Sequence, residues 1–257
     1  MARHINLTVA RFLNRRATAR WSALADRAKR LDIATLKSLQ GQAKGLRGAL
    51  DRFLFVAEDR LTLPYIGSSS FPKPLHSDWA WRPQLWRGAI HPPGRAAAPS
   101  QAMFGSEVKL FHDCRISEIT VRQIRNTRER DLAPYGLRMD VFRFDGSFLS
   151  LVLDLPPDAI KGLKRRHLIR MNTVVEMEKP LEIFARLNVR HGPNTEQIVR
   201  ELPLGEDEVM VEFDLAYTEM NERRVEAAWI DLIFEGPEMN QVILRDVNFS
   251  RRPRAEL

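Results

Sequence analysis

The chain reads as mainly β: an antiparallel β-sandwich, jelly-roll-like, preceded by an N-terminal α-helical hairpin. Three observations predict this. Apolar and polar residues alternate in segment after segment beyond residue 105, the first sixty residues carry apolar side chains at steps of three and four, and a stretch rich in proline and tryptophan separates the two. The chain accordingly divides into a basic helical region at 1–63, a Pro/Trp-rich strap at 64–105 and a β-sandwich domain at 106–257.

In the first region Ala10, Leu13, Ala17, Trp21, Leu24, Ala28 and Leu31 fall on one stripe of a 3.6-residue helix. Arg11, Arg15, Arg16, Arg20, Arg27, Lys29 and Arg30 take the other faces, so the helix is basic and amphipathic. A second stripe, Leu36, Leu39, Ala43, Leu46, Leu50, Phe53 and Ala57, alternates steps of three and four as a heptad seam does. Asp32 is placed to cap this second helix, and Pro64 to end it. Gly41, Gly45 and Gly48 lie inside the helical pattern and read as sites of close helix packing, not as a phosphate cradle.

Seven of the fifteen prolines fall between Pro64 and Pro99, together with the serines at 68–70 and with Trp79, Trp81 and Trp86. Proline removes amide donors and fixes the backbone, so no long helix or central strand runs here. The three indoles are costly to solvate, and their packing would anchor the segment as a strap.

Strand alternation follows at 137–144, 148–155, 168–177, 183–189, 209–217, 229–234 and 242–249, with weaker segments at 107–111, 118–125 and 196–201. Asp145-Gly146, Pro156-Pro157, His191-Gly192-Pro193-Asn194, Leu204-Gly205-Glu206 and Glu235-Gly236-Pro237 supply the turns. About ten strands without an interleaved helical pattern make a sandwich, not an α/β fold.

Charge is segregated. The whole chain carries +7, but residues 1–63 alone carry 13 basic and 5 acidic groups, which leaves the rest at −1. The positive charge is therefore a property of the arm and not of the body. The longest apolar run is five residues, at 53–57, far short of the roughly 20 that cross a membrane. A single cysteine, Cys114, excludes an internal disulfide framework and a multi-thiolate zinc site.

Signatures of chemistry are missing. There is no phosphate loop, dinucleotide turn, nucleophile elbow or His-Glu-x-x-His helix. The six histidines have no metal-ligand spacing backed by carboxylates, so neither a metal nor another cofactor is expected. His112 and Cys114 share a strand face at i, i+2, and the lone thiol reads as a small buried hydrophobe. These absences favour a binding protein over an enzyme.

The strand faces hold a richer constellation. With Ile230, Leu232 and Phe234 turned inward, Trp229, Asp231, Ile233 and Glu235 share the opposite face. Phe184, Arg186, Asn188 and Arg190 likewise oppose Ala185, Leu187 and Val189, while Arg170, Asn172, Glu212 and Asp214 add to the same mosaic. Carboxylate, guanidinium and amide groups beside an aromatic plate suit a sugar, whose ring stacks and whose hydroxyls take planar polar partners. Trp229, Asp231, Glu235, Arg186 and Asn188 are the candidate glycan-binding residues. An ordinary solvated sheet face, or one covered by the helices or the strap, fits the same pattern. Asp231/Glu235 and Glu212/Asp214 are the carboxylate pairs to weigh for hydrolysis, though abundant arginine disfavours a general acid.

Asp78-Trp79-Ala80-Trp81-Arg82-Pro83, the stretch 185–197, Trp229-Ile230-Asp231-Leu232-Ile233-Phe234 and the tail 251–257 resemble a bacterial family of unknown function, over nearly the whole chain. The resemblance implies a bacterial, cytoplasmic protein and brings no activity, cofactor or site residue. The strand-rich region also resembles galactose-binding-type jelly rolls, a likeness of fold alone. The leading expectation is a non-enzymatic binding or scaffold protein whose basic helices, through Arg11, Arg15, Arg16, Arg20, Trp21, Arg27 and Arg30, dock an acidic protein partner. The first alternative is a carbohydrate-binding or carbohydrate-active sandwich. The second is attachment to a membrane surface or nucleic acid through the first helix, although its stripe is alanine-rich and it has no nucleic-acid motif.

Overall fold

The computed structural model describes residues 7–66, 71–205 and 208–254. The serines at 68–70, Glu206 and residues 255–257 lie outside the described residues, as do the side chains of Ala10, Arg11, Leu13 and Ala57 and the surroundings of Gly48. Contacts divide the chain into two compact units, Met1–Phe53 and Leu54–Leu257.

Helix α1 (Leu7–Arg27) passes through a short 3-10 turn (Ala28–Arg30) into α2 (Ile33–Ile66), giving the helical hairpin. Asp32 caps α2: its Oδ1 accepts the Thr35 N–H at 2.9 Å. That bond holds the Asp32 carboxyl below its ordinary range. Along the hairpin Trp21, Leu24, Ala28, Leu31, Leu39 and Ala43 are half-buried, while Leu46, Leu50 and Phe53 expose 42, 51 and 68%.

Two expectations need correcting here. The helix does not stop at Pro64 but runs to Ile66, because a proline near a helix end removes one amide bond without preventing the last residues from staying helical. Gly41 and Gly45 do not serve close packing, since a Cβ at either would meet nothing within 4 Å.

The second unit is the sandwich. Its strands are β1 (Trp79–Trp81), β2 (Gly94–Arg95), β3 (Ala102–Phe104), β4 (Val108–His112), β5 (Ile119–Arg125), β6 (Tyr135–Val141) and β7 (Leu149–Asp154). There follow β8 (His167–Met177), β9 (Ile183–His191), β10 (Asn194–Glu201), β11 (Glu208–Asp214), β12 (Val225–Phe234) and β13 (Asn240–Pro253). Two four-residue helices, α3 (Gln84–Arg87) and α4 (Pro157–Ile160), interrupt them. One sheet runs β11-β8-β13-β6-β5-β2, with β1 added on β13; the other runs β10-β9-β12-β7-β4-β3. All pairings are antiparallel. From β4 onward the chain repeatedly crosses from one sheet to the other, which makes a jelly-roll-like sandwich and not a meander.

Alternation explains the core. Leu149, Leu151 and Leu153 from β7, Ala185 and Leu187 from β9, and Ile230 and Leu232 from β12 are fully buried. They face Val121, Leu137, Met171, Phe213 and Phe249 of the first sheet, which are equally buried. Each large side chain so enclosed contributes roughly 1.5–3 kcal/mol.

The Pro/Trp-rich segment is tied to β13 at three points. Trp86 is fully buried and its indole N–H donates to the Leu244 carbonyl at 2.9 Å. Arg82 donates from Nε and Nη2 to the two oxygens of Asp246 at 2.8 and 2.7 Å. Arg251 donates to both oxygens of Asp78 at 2.9 and 3.1 Å, and to the carbonyls of Ala159 and Lys161. Trp79, Trp81 and Phe249 form a continuous stack, with centroids 6.3 and 5.7 Å apart.

Two predictions come from these contacts. Gly41→Ala with Gly45→Ala, filling open space on a helix, should stabilise the hairpin by about 0.5–1 kcal/mol each, read as increased helicity and a later thermal loss of it. His167 lies buried near Asp78, and burial together with Arg251 lowers its pKa below the ordinary 6.5. The unfolded chain therefore takes up this proton first as pH falls, so stability is greatest above about pH 6.5 and declines below it. Urea midpoints should be lower at pH 5.5 than at 7.5, and His167→Asn should shrink that difference.

Candidate functional site

The outer face of the second sheet is laid out in rows, because directly opposed residues of antiparallel neighbours point the same way. One row runs Asp154, Trp229, Asn188, Gln197 across β7, β12, β9 and β10. The next runs Lys109, Val152, Asp231, Arg186, Val199, and a third Phe111, Ser150, Ile233, Phe184, Glu201. Trp229, Asp231, Arg186 and Asn188 are thus brought together by register alone.

A trough of ≈ 440 Å³ lies on these rows, lined by Phe111, Phe148, Ser150, Val152, Arg186, Trp229, Asp231 and Ile233. From Trp229 to Ile233 it covers about 13 Å along the strand, and from β4 to β9 about 14 Å across it. Trp229, Phe111 and Ile233 are half-buried and Phe148 is 44% exposed, so apolar surface is presented to solvent on both sides of a polar centre.

That centre is fixed. Asp231, only 4% exposed, accepts Arg186 Nε and Nη2 at 2.9 and 2.7 Å and Asn188 Nδ2 at 3.0 Å, all on Oδ2. Its Oδ1 accepts no bond among the described residues. Asn188 in turn accepts Gln197 Nε2 at 3.0 Å. The Ser150 hydroxyl has no partner although the residue is more than nine-tenths buried, and its row turns it into the trough. Lys109 pairs with Asp154 and Arg190 with Glu226, so the cations bordering the trough face carboxylates.

The turn that carries Phe148 is held by Asp113, whose Oδ1 accepts the N–H groups of Ser147 and Phe148 and whose Oδ2 accepts the Ser147 hydroxyl. The Ser147 hydroxyl bond, before the others, holds the Asp113 carboxyl below its ordinary range. Gly146 is required there, since a Cβ would stand 2.5 Å from Asp113 Oδ1. Beside it, burial pushes the Cys114 thiol up. His112 accepts the Cys114 N–H on Nδ1 and meets the Ala98 carbonyl through Nε2, so neither nitrogen is aimed at the sulfur. The free thiol is half-buried, and the imidazole is engaged by backbone groups.

The structure separates the rest of the polar mosaic. Glu235 lies past the end of β12, exposed, and does not line the trough. Arg170, Asn172, Glu212 and Asp214 belong to β8 and β11 of the other sheet. There Arg170 pairs with Glu212, and Arg254 with Asp214. Alternation along a strand assigns a face, but it does not say which of two sheets holds the strand. Ser150, Phe111, Phe148 and Gln197 were not singled out from the sequence, although 148, 150 and 152 alternate with three leucines. Among the described residues no group of acidic, histidine or cysteine side chains is arranged to hold a metal ion, and no helix is long and apolar enough to cross a membrane.

On the hairpin, Arg15, Arg16, Arg20, Arg27 and Arg30 are exposed, and the Arg20 guanidinium lies 5.7 Å from the centre of the half-buried Trp21 ring. Arg11 is in α1, with its side chain outside the described residues.

A model described as a family of unknown function, DUF6478, matches residues 1–257. No curated protein matches the chain in sequence. Among solved structures, the enzymatically active domain of tailspike protein 4 from bacteriophage CBA120 is 9% identical, with a TM-score of 0.40. The alignment covers 56% of this chain and only 19% of that one. A family 11 carbohydrate-binding module from Clostridium thermocellum, in complex with a β-1,3-1,4-mixed-linked tetrasaccharide, is 10% identical over 59% of this chain and 91% of its own, with a TM-score of 0.39. A xylan-binding domain from Paenibacillus barcinonensis is 8% identical over 63% and 94%, at 0.34. Alignments at these scores place no ligand on this chain.

The orphaned hydroxyl yields a prediction. Ser150→Ala should raise stability by about 1 kcal/mol, because a buried donor without a partner costs more than the methyl that replaces it. The measurement is the denaturant midpoint, with an unchanged slope.

Proposed function

The chain belongs to this family of unknown function, DUF6478, and we propose from its own trough that it is a non-enzymatic, glycan-binding β-sandwich. One observation carries the reading. A half-buried indole adjoins an Arg186–Asp231 pair with one carboxylate oxygen open, over a buried serine hydroxyl that has no partner. A sugar ring offers C–H groups that stack on an indole and hydroxyls that both donate and accept. Asp231 Oδ1 would accept one hydroxyl, while Ser150 and the remaining donors of Arg186 would meet others.

Charge narrows the ligand class. Arg186, Lys109 and Arg190 are each matched by a carboxylate, so the trough suits a neutral glycan better than an acidic one. Its length and breadth accommodate a short stretch of chain. Hydrolysis would require two carboxyl groups placed about the bond, and none stands beside Asp231 in that role: Asp154 is held by Lys109, and Glu235 lies beyond the strand.

A second surface is favoured by a separate observation. The arm combines exposed Arg15, Arg20, Arg27 and Arg30 with an apolar stripe whose Leu46, Leu50 and Phe53 expose 42–68%. That combination suits docking of an acidic protein partner through residues 1–63.

On an array of neutral and acidic oligosaccharides the full chain should retain neutral ones. Trp229→Ala should then weaken the best of them at least tenfold by calorimetry, about 1.4 kcal/mol, with the fold intact. Changing Arg15, Arg20, Arg27 and Arg30 to Gln should leave that affinity unaltered. Selection of acidic glycans alone, or full affinity without the indole, would overturn the reading.

A further inference from the structure

On the other sheet a cavity of ≈ 210 Å³ is enclosed by Pro72, Arg130, Asp131 and Leu132 over the strands. That is room for about seven waters and less than the roughly 300–1,000 Å³ of a drug-sized site. Its floor is two rows of outward-facing residues, Asp246 beside Val174 and Asn248 beside Asn172. Asp246, Asn248 and Asn172 are polar, yet they expose only 6, 5 and 8%.

These groups form a directed chain. Arg82 donates to Asp246, Asn248 Nδ2 donates to Asp246 Oδ2 at 3.1 Å, and Asn172 Nδ2 donates to Asn248 Oδ1 at 3.2 Å. The chain ends on Asn172, whose Oδ1 accepts nothing among the described residues. A primary amide has two donors and a carbonyl, so Asn172 brings a free acceptor and a spare donor to the cavity floor. Buried capacity of that kind is costly to keep where an apolar residue would pack.

The surroundings say what would use it. On the floor Arg82 offsets Asp246, and Glu176 takes Arg245 Nε and Nη2 at 3.1 Å each; on the wall Arg130 and Asp131 carry opposite charges and Glu208 adds one exposed carboxylate, a balance that disfavours an anion. Leu132, Pro72 and Val174 supply apolar wall. The amide floor asks for a neutral ligand with paired donors and acceptors, and the volume limits it to about one ring.

We propose that this cavity binds a single neutral polyol of monosaccharide size, with adjacent hydroxyls on the Asn172 amide. The site is on the opposite sheet from the trough, so the two can be lost separately. Glucose and galactose titrated into the ¹⁵N-labelled full chain test it. At least one sugar should give saturable shifts at the Asn172 and Asn248 side-chain amides. The shifts should persist in Trp229→Ala and weaken at least tenfold in Asn172→Ala. If Asn172→Ala does not fold, Leu132→Trp, at the exposed rim, should block entry with the same loss. No saturable shift at those amides with either sugar, or shifts that survive a folded Asn172→Ala or Leu132→Trp, would overturn the proposal.

Discussion

The sandwich depends on a buried ion pair. Arg82 and Asp246 lie 164 positions apart in sequence, and their side chains expose 1 and 8%. Enclosing two such charges costs several kcal/mol apiece, recovered only when the geometry is bidentate and the remaining valences are filled. Here Asp246 takes two bonds from Arg82 and a third from Asn248. The strap is therefore held in one register on β13, since a slip of one residue would strand both charges.

A bulge makes that pairing reachable. Leu244 stands opposite Val175 and Asp246 opposite Val174, so Arg245 is an extra residue on β13. Before the bulge Val242 and Leu244 point into the core; after it Val247 and Phe249 do. Were the strand regular through Arg245, Asp246 would share the face of Leu244 and enter the apolar layer. The same flip sets Asn248 opposite Asn172, so one backbone irregularity builds the anchor of the strap and the polar floor beside it. Among the described residues no such strap lines the trough of the second sheet, and its paired rows present side chains already placed, which lowers the ordering cost of binding.

Much of this was legible in the chain. Alternation gave the core faces of β7, β9 and β12 because period two is a local property. The hairpin's stripe and Asp32 cap were local too. The partnership of strands is not local: alternation groups Glu212 and Arg170 with Asp231 and Arg186, and only topology separates them. Gly41 and Gly45 were misread because a missing Cβ looks the same whether a neighbour is close or absent. The bulge did leave a trace. Apolar residues at 242 and 244 resume at 247 and 249, and such a change of parity inside one strand is the mark of an inserted residue.

An orphaned hydroxyl by itself does not identify a site. Thr173 and Ser150 both bury a hydroxyl without a partner. Thr173 shares the face of Ile169 and Met171 and stands between Val209 and Val247, so its side chain is directed into the layer between the sheets. Its cost is a tax on the fold. Ser150 stands on the opposite side of its sheet from Leu149 and Leu151, between Phe111 and Ile233, under an open trough. That oxygen is itself closed to solvent, so a ligand in the trough would meet it only after the side chains above it shift. Burial makes both hydroxyls expensive, and the direction of the strand face decides which one a ligand could satisfy.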